Sequence, residues 1–142
     1  MNVFVYGTLL SKYFNPKSGK IQVHPRSKIL RGFNFERALL KDYKLLWPDT
    51  KDYPFITPSP GHSVKGEVYY SVGENTINKL DDIEGVSFGL FEKTIVKVLT
   101  DSGSEIEALA YVGGKHLRNL SDCSYYFTLI PEEFKGGQNK TD

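Results

Sequence analysis

The sequence predicts an α+β domain: a mostly antiparallel β-barrel or sheet with one or two short helices packed on it. Three observations carry this reading. Apolar residues recur with period two along most of the chain, and they are rich in Val, Ile, Phe and Tyr. Turn-forming sequences separate these runs. One segment, Glu74 to Glu84, switches to the helical period. The 142 residues are the size of one domain, expected over residues 1–134. The tail, 135–142, is polar and glycine-containing and is expected to fray.

The elements follow in order. Asn2 to Tyr6 reads as a strand beginning almost at the first residue, and Ser11 to Arg31 reads as a long connection. Lys28 to Leu40 and Tyr43 to Trp47 are weaker strand candidates. Pro54, Pro58 and Pro60 with Gly61 mark an irregular stretch. Val64 to Val72 is a strand, and Gly66 inside it signals a bulge or a close backbone approach. Glu74 to Glu84 is a short helix with Gly85 placed as its C-terminal cap. Leu90 to Thr100 and Ile106 to Val112 form a hairpin across the turn Asp101-Ser102-Gly103-Ser104.

Charge and cysteine count exclude several functions. Lys plus Arg is 18 and Asp plus Glu is 17, a net charge of +1. That balance gives no bulk electrostatic case for nucleic acid or an anionic membrane. The single cysteine, Cys123, rules out an internal disulfide and a cysteine-based zinc site; it reads as a small buried or incidental residue. His24, His62 and His116 lack metal-ligand spacing and read as surface or loop residues. No apolar run approaches the roughly 18 residues of a membrane span, and the N-terminus carries no leader pattern. The expectation is a soluble, cytoplasmic protein with no nucleic-acid or membrane partner. Lys12, Lys17, Lys20, Arg26, Lys28 and Arg31 form a basic stretch. It reads as a solvated loop, with a positive rim or a docking surface as the functional alternatives.

The helix carries the sharpest chemical signal. Ile77, Leu80 and Glu84 fall at i, i+3 and i+7, so a carboxylate continues an apolar stripe that faces the sheet. Partial burial, the helix dipole and the neighbouring Asp81 and Asp82 should all raise its pKa. A carboxylate poised near neutrality suits a general base that later returns its proton. The structural alternative is a glutamate that rotates outward or accepts hydrogen bonds from loop amides. The second signal is Tyr6-Gly7-Thr8-Leu9-Leu10, an apolar strand ending at a glycine and a small hydroxyl residue. Such a turn can leave successive N–H groups free to bind a carboxylate or an oxyanion. An ordinary strand-end turn is the alternative.

Four pieces in order resemble the γ-glutamylcyclotransferase-like family, its small γ-glutamylamine cyclotransferases and AIG2-like proteins in particular. They are Val5-Tyr6-Gly7-Thr8-Leu9, Tyr53-Pro54, Val64-Lys65-Gly66-Glu67-Val68-Tyr69 and Leu80-Asp81-Asp82-Ile83-Glu84-Gly85. The strand from Phe91 to Leu99 and its hairpin partner ending in Tyr111 also fit, so the resemblance covers about residues 1–112. It implies a small mixed, mostly antiparallel β-barrel with flanking short helices. Glu84 maps to the catalytic acid/base, and Tyr6, Gly7, Thr8 and Leu9 map to the substrate loop. Where members commonly carry a tyrosine at the start of the strand after the helix, this chain has Phe91, a further substrate-binding position.

The implied reaction is the intramolecular aminolysis of a γ-glutamyl amine or peptide, releasing 5-oxoproline and a free amine. Nucleophile and electrophile share one molecule, so neither cofactor nor metal is implied. The implied partner is a small γ-glutamyl substrate, and the implied assembly a monomer or weak homodimer. The rival reading is a cyclotransferase-like module that binds a small acid or a protein partner with little or no catalysis.

Overall fold

The computed structural model describes residues 1–134; the tail expected to fray, 135–142, lies outside the described residues. The strands are β1 (Val3–Val5), β2 (Tyr13–Asn15), β3 (Lys20–Gln22), β4 (Phe35–Pro48), β5 (Phe55–Tyr69), β6 (Phe91–Thr100), β7 (Glu105–Gly113) and β8 (Cys123–Tyr126). The helices are α1 (Glu74–Ile83) and the single turn α2 (Lys115–Arg118). Strands β5, β1, β7, β6 and β4 neighbour one another in that order, and β4 pairs back onto β5. The result is a closed barrel of five strands. Its ladders are antiparallel except β1 on β7, which is parallel, so the barrel is mixed. Closure removes the open edges that a free sheet would leave unpaired. Strand β8 extends the sheet beyond β4, while β2 and β3 form a separate small hairpin.

The core follows from the alternation. Phe4, Leu40, Leu45, Phe55, Ile56 and Val68 are fully buried, and Leu80 of α1 belongs to the same buried cluster. Burying each large apolar side chain contributes about 1.5–3 kcal/mol. Gly66 marks a close approach of two backbones. A Cβ there would lie 2.2 Å from the Val5 carbonyl oxygen and 2.8 Å from the Phe4 ring. Only a residue without a side chain lets β5 pass so near β1.

Three sequence expectations need correction. The segment from Lys28 does not enter a strand directly. Pro25–Leu30 forms a 3-10 turn, with Pro25 at its start and the His24 ring accepting from the Arg26 N–H at 3.1 Å. β4 begins only at Phe35 and runs on through the gap expected between two strands; Asp42, at φ 65°, sits where the register against β5 shifts between Lys41 and Tyr43. The proline-marked stretch is largely strand. Phe55 to Pro58 pair with Leu46 to Tyr43, and the irregularity is confined to Ser59–His62, which bulge opposite Asp42. The Gly61 N–H donates to the Asp42 carboxylate at 3.1 Å across that bulge. Finally, the long connection 11–31 is built rather than loose, since it holds the β2–β3 hairpin and the 3-10 turn. Among the described residues no helix is long and apolar enough to cross a membrane.

Candidate active site

Helix α1 ends where the sequence places its cap. The Glu84 N–H donates to Leu80 O at 2.9 Å, and the Gly85 N–H to Asp82 O at 3.2 Å. Gly85 takes φ 62°, the left-handed conformation that ends a helix at little cost for glycine. The Leu90 N–H then returns to Gly85 O at 3.1 Å and sends the chain into β6. This geometry fixes Glu84 on the inner face with only 9% of its surface exposed.

The Glu84 carboxylate opens into a cleft at one end of the barrel. The cleft is narrow, with about 360 Å³ of empty space when the open solvent at its mouth is included. Its walls are Tyr6, Gly7, Thr8 and Leu9 after β1, Phe91 at the start of β6 and Tyr111 on β7. Arg26 of the 3-10 turn and Tyr53 and Pro54 of the β4–β5 connection complete it. All six expected site residues therefore line one cavity. Among the described residues the Glu84 carboxylate makes neither a hydrogen bond nor an ion pair, and it is held only by burial and backbone position.

Burial raises the Glu84 pKa to about 7, and the Arg26 guanidinium works in the opposite direction. The cause differs in part from the sequence expectation. Asp81 does not add like charge, because its carboxylate is held by the Lys93 ammonium at 2.9 Å and the Tyr111 hydroxyl at 2.8 Å. The Tyr6 hydroxyl is locked too, donating to the Tyr111 carbonyl at 2.7 Å. Burial and the nearby Glu84 hold its pKa well above the usual phenol range. Tyr6 and Tyr111 thus stay neutral and fix the walls around the carboxylate.

The loop after β1 is rigid for reasons the sequence only half discloses. The Leu10 N–H closes a turn onto Gly7 O at 3.0 Å. The Ser11 N–H and Oγ–H donate to the two oxygens of Glu67 at 2.8 and 2.7 Å. Glu67 is itself buried, with 4% exposed, and also accepts from the Tyr69 hydroxyl at 3.3 Å. A buried carboxylate on β5 thereby clamps the far end of the loop. Gly7 leaves room for the other wall, since a Cβ there would meet Pro54 Cγ at 2.7 Å. Among the described residues the Thr8 and Leu9 amides have no protein acceptor. They are available to an anion in the cleft.

Three contributors were not singled out from the sequence as site residues. Tyr53 packs its ring 6.0 Å from Phe91. Its approach depends on the β4–β5 connection, which the Lys17 ammonium ties down at Asp49 O and Lys51 O. Tyr111 sits on the hairpin strand expected to match the family, and its neighbour in register is Lys93. Arg26 belongs to the basic stretch that reads first as a solvated loop, with a positive rim as an alternative, and the fold turns it into the cleft. The three histidines remain scattered: among the described residues no group of His, Cys, Asp or Glu side chains could hold a metal ion. Cys123 is buried in β8.

The small closed mixed barrel thus carries one cleft lined both by the buried Glu84 carboxylate and by loop amides that have no protein acceptor among the described residues. Comparison with known proteins gives the family. Residues 3–127 match the family described as "Gamma-glutamyl cyclotransferase, AIG2-like", and the chain belongs to it. It is 29% identical over 136 residues to AIG2-like protein D of Arabidopsis thaliana, covering 94% of this chain and 78% of that protein. A solved structure named "Gamma-glutamyl cyclotransferase" superposes with a TM-score of 0.63 at 26% identity, covering 88% of this chain and 70% of that one. An AIG2-like protein from Mus musculus superposes with a TM-score of 0.66 and 97% coverage of each chain. At 20% identity it speaks to the fold alone.

Proposed function

We propose that this chain is a γ-glutamyl cyclotransferase that converts a γ-glutamyl amide into 5-oxoproline and a free amine, with Glu84 as general acid/base. The observation that carries the reading is a buried Glu84 carboxylate in the cleft, without a hydrogen-bond or ion-pair partner among the described residues and with a pKa raised to about 7. A group with that proton affinity accepts and returns a proton at neutral pH with little loss in either direction.

The chemistry balances without a co-reactant. Glu84 takes a proton from the substrate's α-ammonium. The freed amine attacks the γ-carbonyl carbon, a C–N bond forms and the five-membered ring closes. The amide C–N bond then breaks as Glu84 returns the proton to the leaving nitrogen. Of the three ammonium hydrogens, one stays on the lactam nitrogen and two end on the leaving amine, which departs as an ammonium. The cleft's contribution is to hold the glutamyl chain folded so that its ends meet, a large entropic advantage for a narrow site. The Thr8 and Leu9 amides supply donors for the α-carboxylate or for the oxygen that gains charge during attack. The buried rings of Tyr6 and Phe91 keep water from the reacting atoms.

The test is release of 5-oxoproline, read by mass spectrometry, from a panel of γ-glutamyl amines, γ-glutamyl dipeptides and glutathione across pH 5–9. The expected kcat/KM profile has a limb with an apparent pKa near the Glu84 value of about 7. No product from any member of the panel, with 5-oxoproline still binding, would establish the binding module instead.

A further inference from the structure

The loop that presents the free amides is held at both ends by one residue. Glu67 of β5 pairs in register with Val5, the last residue of β1, so its backbone fixes the loop's entry. Its side chain grips the exit. The Ser11 N–H donates to one carboxylate oxygen at 2.8 Å, and the Ser11 Oγ–H to the other at 2.7 Å. Within the loop the Leu10 N–H closes a turn onto Gly7 O at 3.0 Å. Glu67 is 4% exposed, and among the described residues no cation pairs with it. Burying a carboxylate without a cation opposes folding. The Ser11 bonds and the Tyr69 hydroxyl at 3.3 Å offset part of that cost. Val64 and Val68 of the same strand are apolar and fully buried, so packing does not call for a charge at position 67. The call comes from the loop.

Donors bind an anion tightly when they are fixed before it arrives. Ser11 follows Leu9 by two residues, so a shift at Ser11 passes along the chain to the free Thr8 and Leu9 amides. We infer, on the cyclotransferase reading of the cleft, that Glu67 is a positioning residue: through Ser11 it holds the Thr8 and Leu9 amides in the arrangement that receives the ligand's anionic group. Glu67 does not line the cleft, so it acts only through the loop. The proton transfers should not feel it, because Glu84 sits at the end of α1 and its proton affinity is set by burial and Arg26.

The experiment titrates 5-oxoproline calorimetrically into wild type, Ser11→Ala, Ser11→Thr and Glu67→Asp, at a temperature where circular dichroism shows each folded. Ser11→Ala removes the Oγ–H bond. Glu67→Asp keeps the charge and withdraws the carboxylate by one methylene. Each should weaken Kd at least about tenfold, the effect of one charge-assisted hydrogen bond. Ser11→Thr keeps the hydroxyl and should stay within about threefold of wild type. In turnover, kcat/KM of Ser11→Ala should fall with the binding while the limb near pH 7 stays at the wild-type position. An unchanged Kd in either Ser11→Ala or Glu67→Asp overturns the proposal and leaves Glu67 a structural carboxylate. So does a Ser11→Thr protein as weak as Ser11→Ala, or a displaced limb, which would mean that Glu67 acts on Glu84. A wild type that binds no 5-oxoproline overturns it as well. Weakened binding in both variants, with no 5-oxoproline released by wild type from any γ-glutamyl amide, retains the positioning role and removes the cyclotransferase reading.

Discussion

Replacing Glu84 by glutamine should stabilise the fold, and only toward neutral and alkaline pH. In the unfolded chain the carboxyl titrates near 4.5, and in the folded chain near 7. Between those values the folded state keeps a proton that the unfolded state has released. Stability therefore falls as pH rises through the window, and the full penalty is present above it. Below about pH 4.5 both states are protonated and the penalty vanishes. The window spans about 2.5 units, and at about 1.4 kcal/mol per unit the buried charge costs about 3 kcal/mol. Glutamine keeps the shape and lacks the charge. The assay is urea unfolding of both proteins at pH 5 and pH 8. The stability gained by Glu84→Gln should grow by about 2–3 kcal/mol between the two, or roughly 5–10 °C in Tm for a chain of this size. Taking the difference between pH values cancels the amide's own hydrogen bonding and the titration of other groups. Parallel pH dependences for the two proteins would refute the reasoning, because a carboxylate that titrates alike in both states is neither buried nor primed.

Three further perturbations follow from the geometry. Gly66→Ala places a Cβ 2.2 Å from the Val5 carbonyl oxygen, so it should abolish cooperative folding or lower the thermal midpoint severely in a calorimetric scan. Gly7→Ala meets the movable Pro54 ring at 2.7 Å, so it should spare most of the stability yet weaken 5-oxoproline binding at least about tenfold by calorimetry, since it displaces a cleft wall. Glu67→Gln breaks one of the two Ser11 bonds and leaves a buried polar group short of a partner, which should cost about 1–3 kcal/mol and speed amide exchange at Ser11.

The heart of the site was legible because it obeys local periodicity. Ile77, Leu80 and Glu84 share a helical face in the sequence, and the fold buries that face. Gly85 and Gly66 were readable too, Gly85 because a helix end favours glycine at positive φ and Gly66 because a Cβ would collide with β1. What escaped depends on distant partners. Pro58 looks like a breaker, yet it sits in a strand because the bulge beside it absorbs the irregularity. Asp81 looks like a neighbouring negative charge until Lys93 and Tyr111 arrive from the β6–β7 hairpin. Loop position suggests that Tyr13 to Arg31 and Lys51 to His62 build one end of the pocket, yet only the 3-10 turn lying against the barrel mouth decides that Arg26 is the cation of that stretch lining the cleft. Glu67 falls where strand alternation gives no hint of its role, and only the tertiary fold brings Ser11 onto it.

The central claim is that Glu84 moves the protons of ring closure. The direct measurement is 5-oxoproline released at pH 7 from γ-glutamyl-alanine by wild type and Glu84→Gln, each first shown by calorimetry to bind 5-oxoproline. The account predicts release by wild type and a fall on the order of 10²–10⁴-fold in Glu84→Gln. Equal release by the two proteins would contradict it.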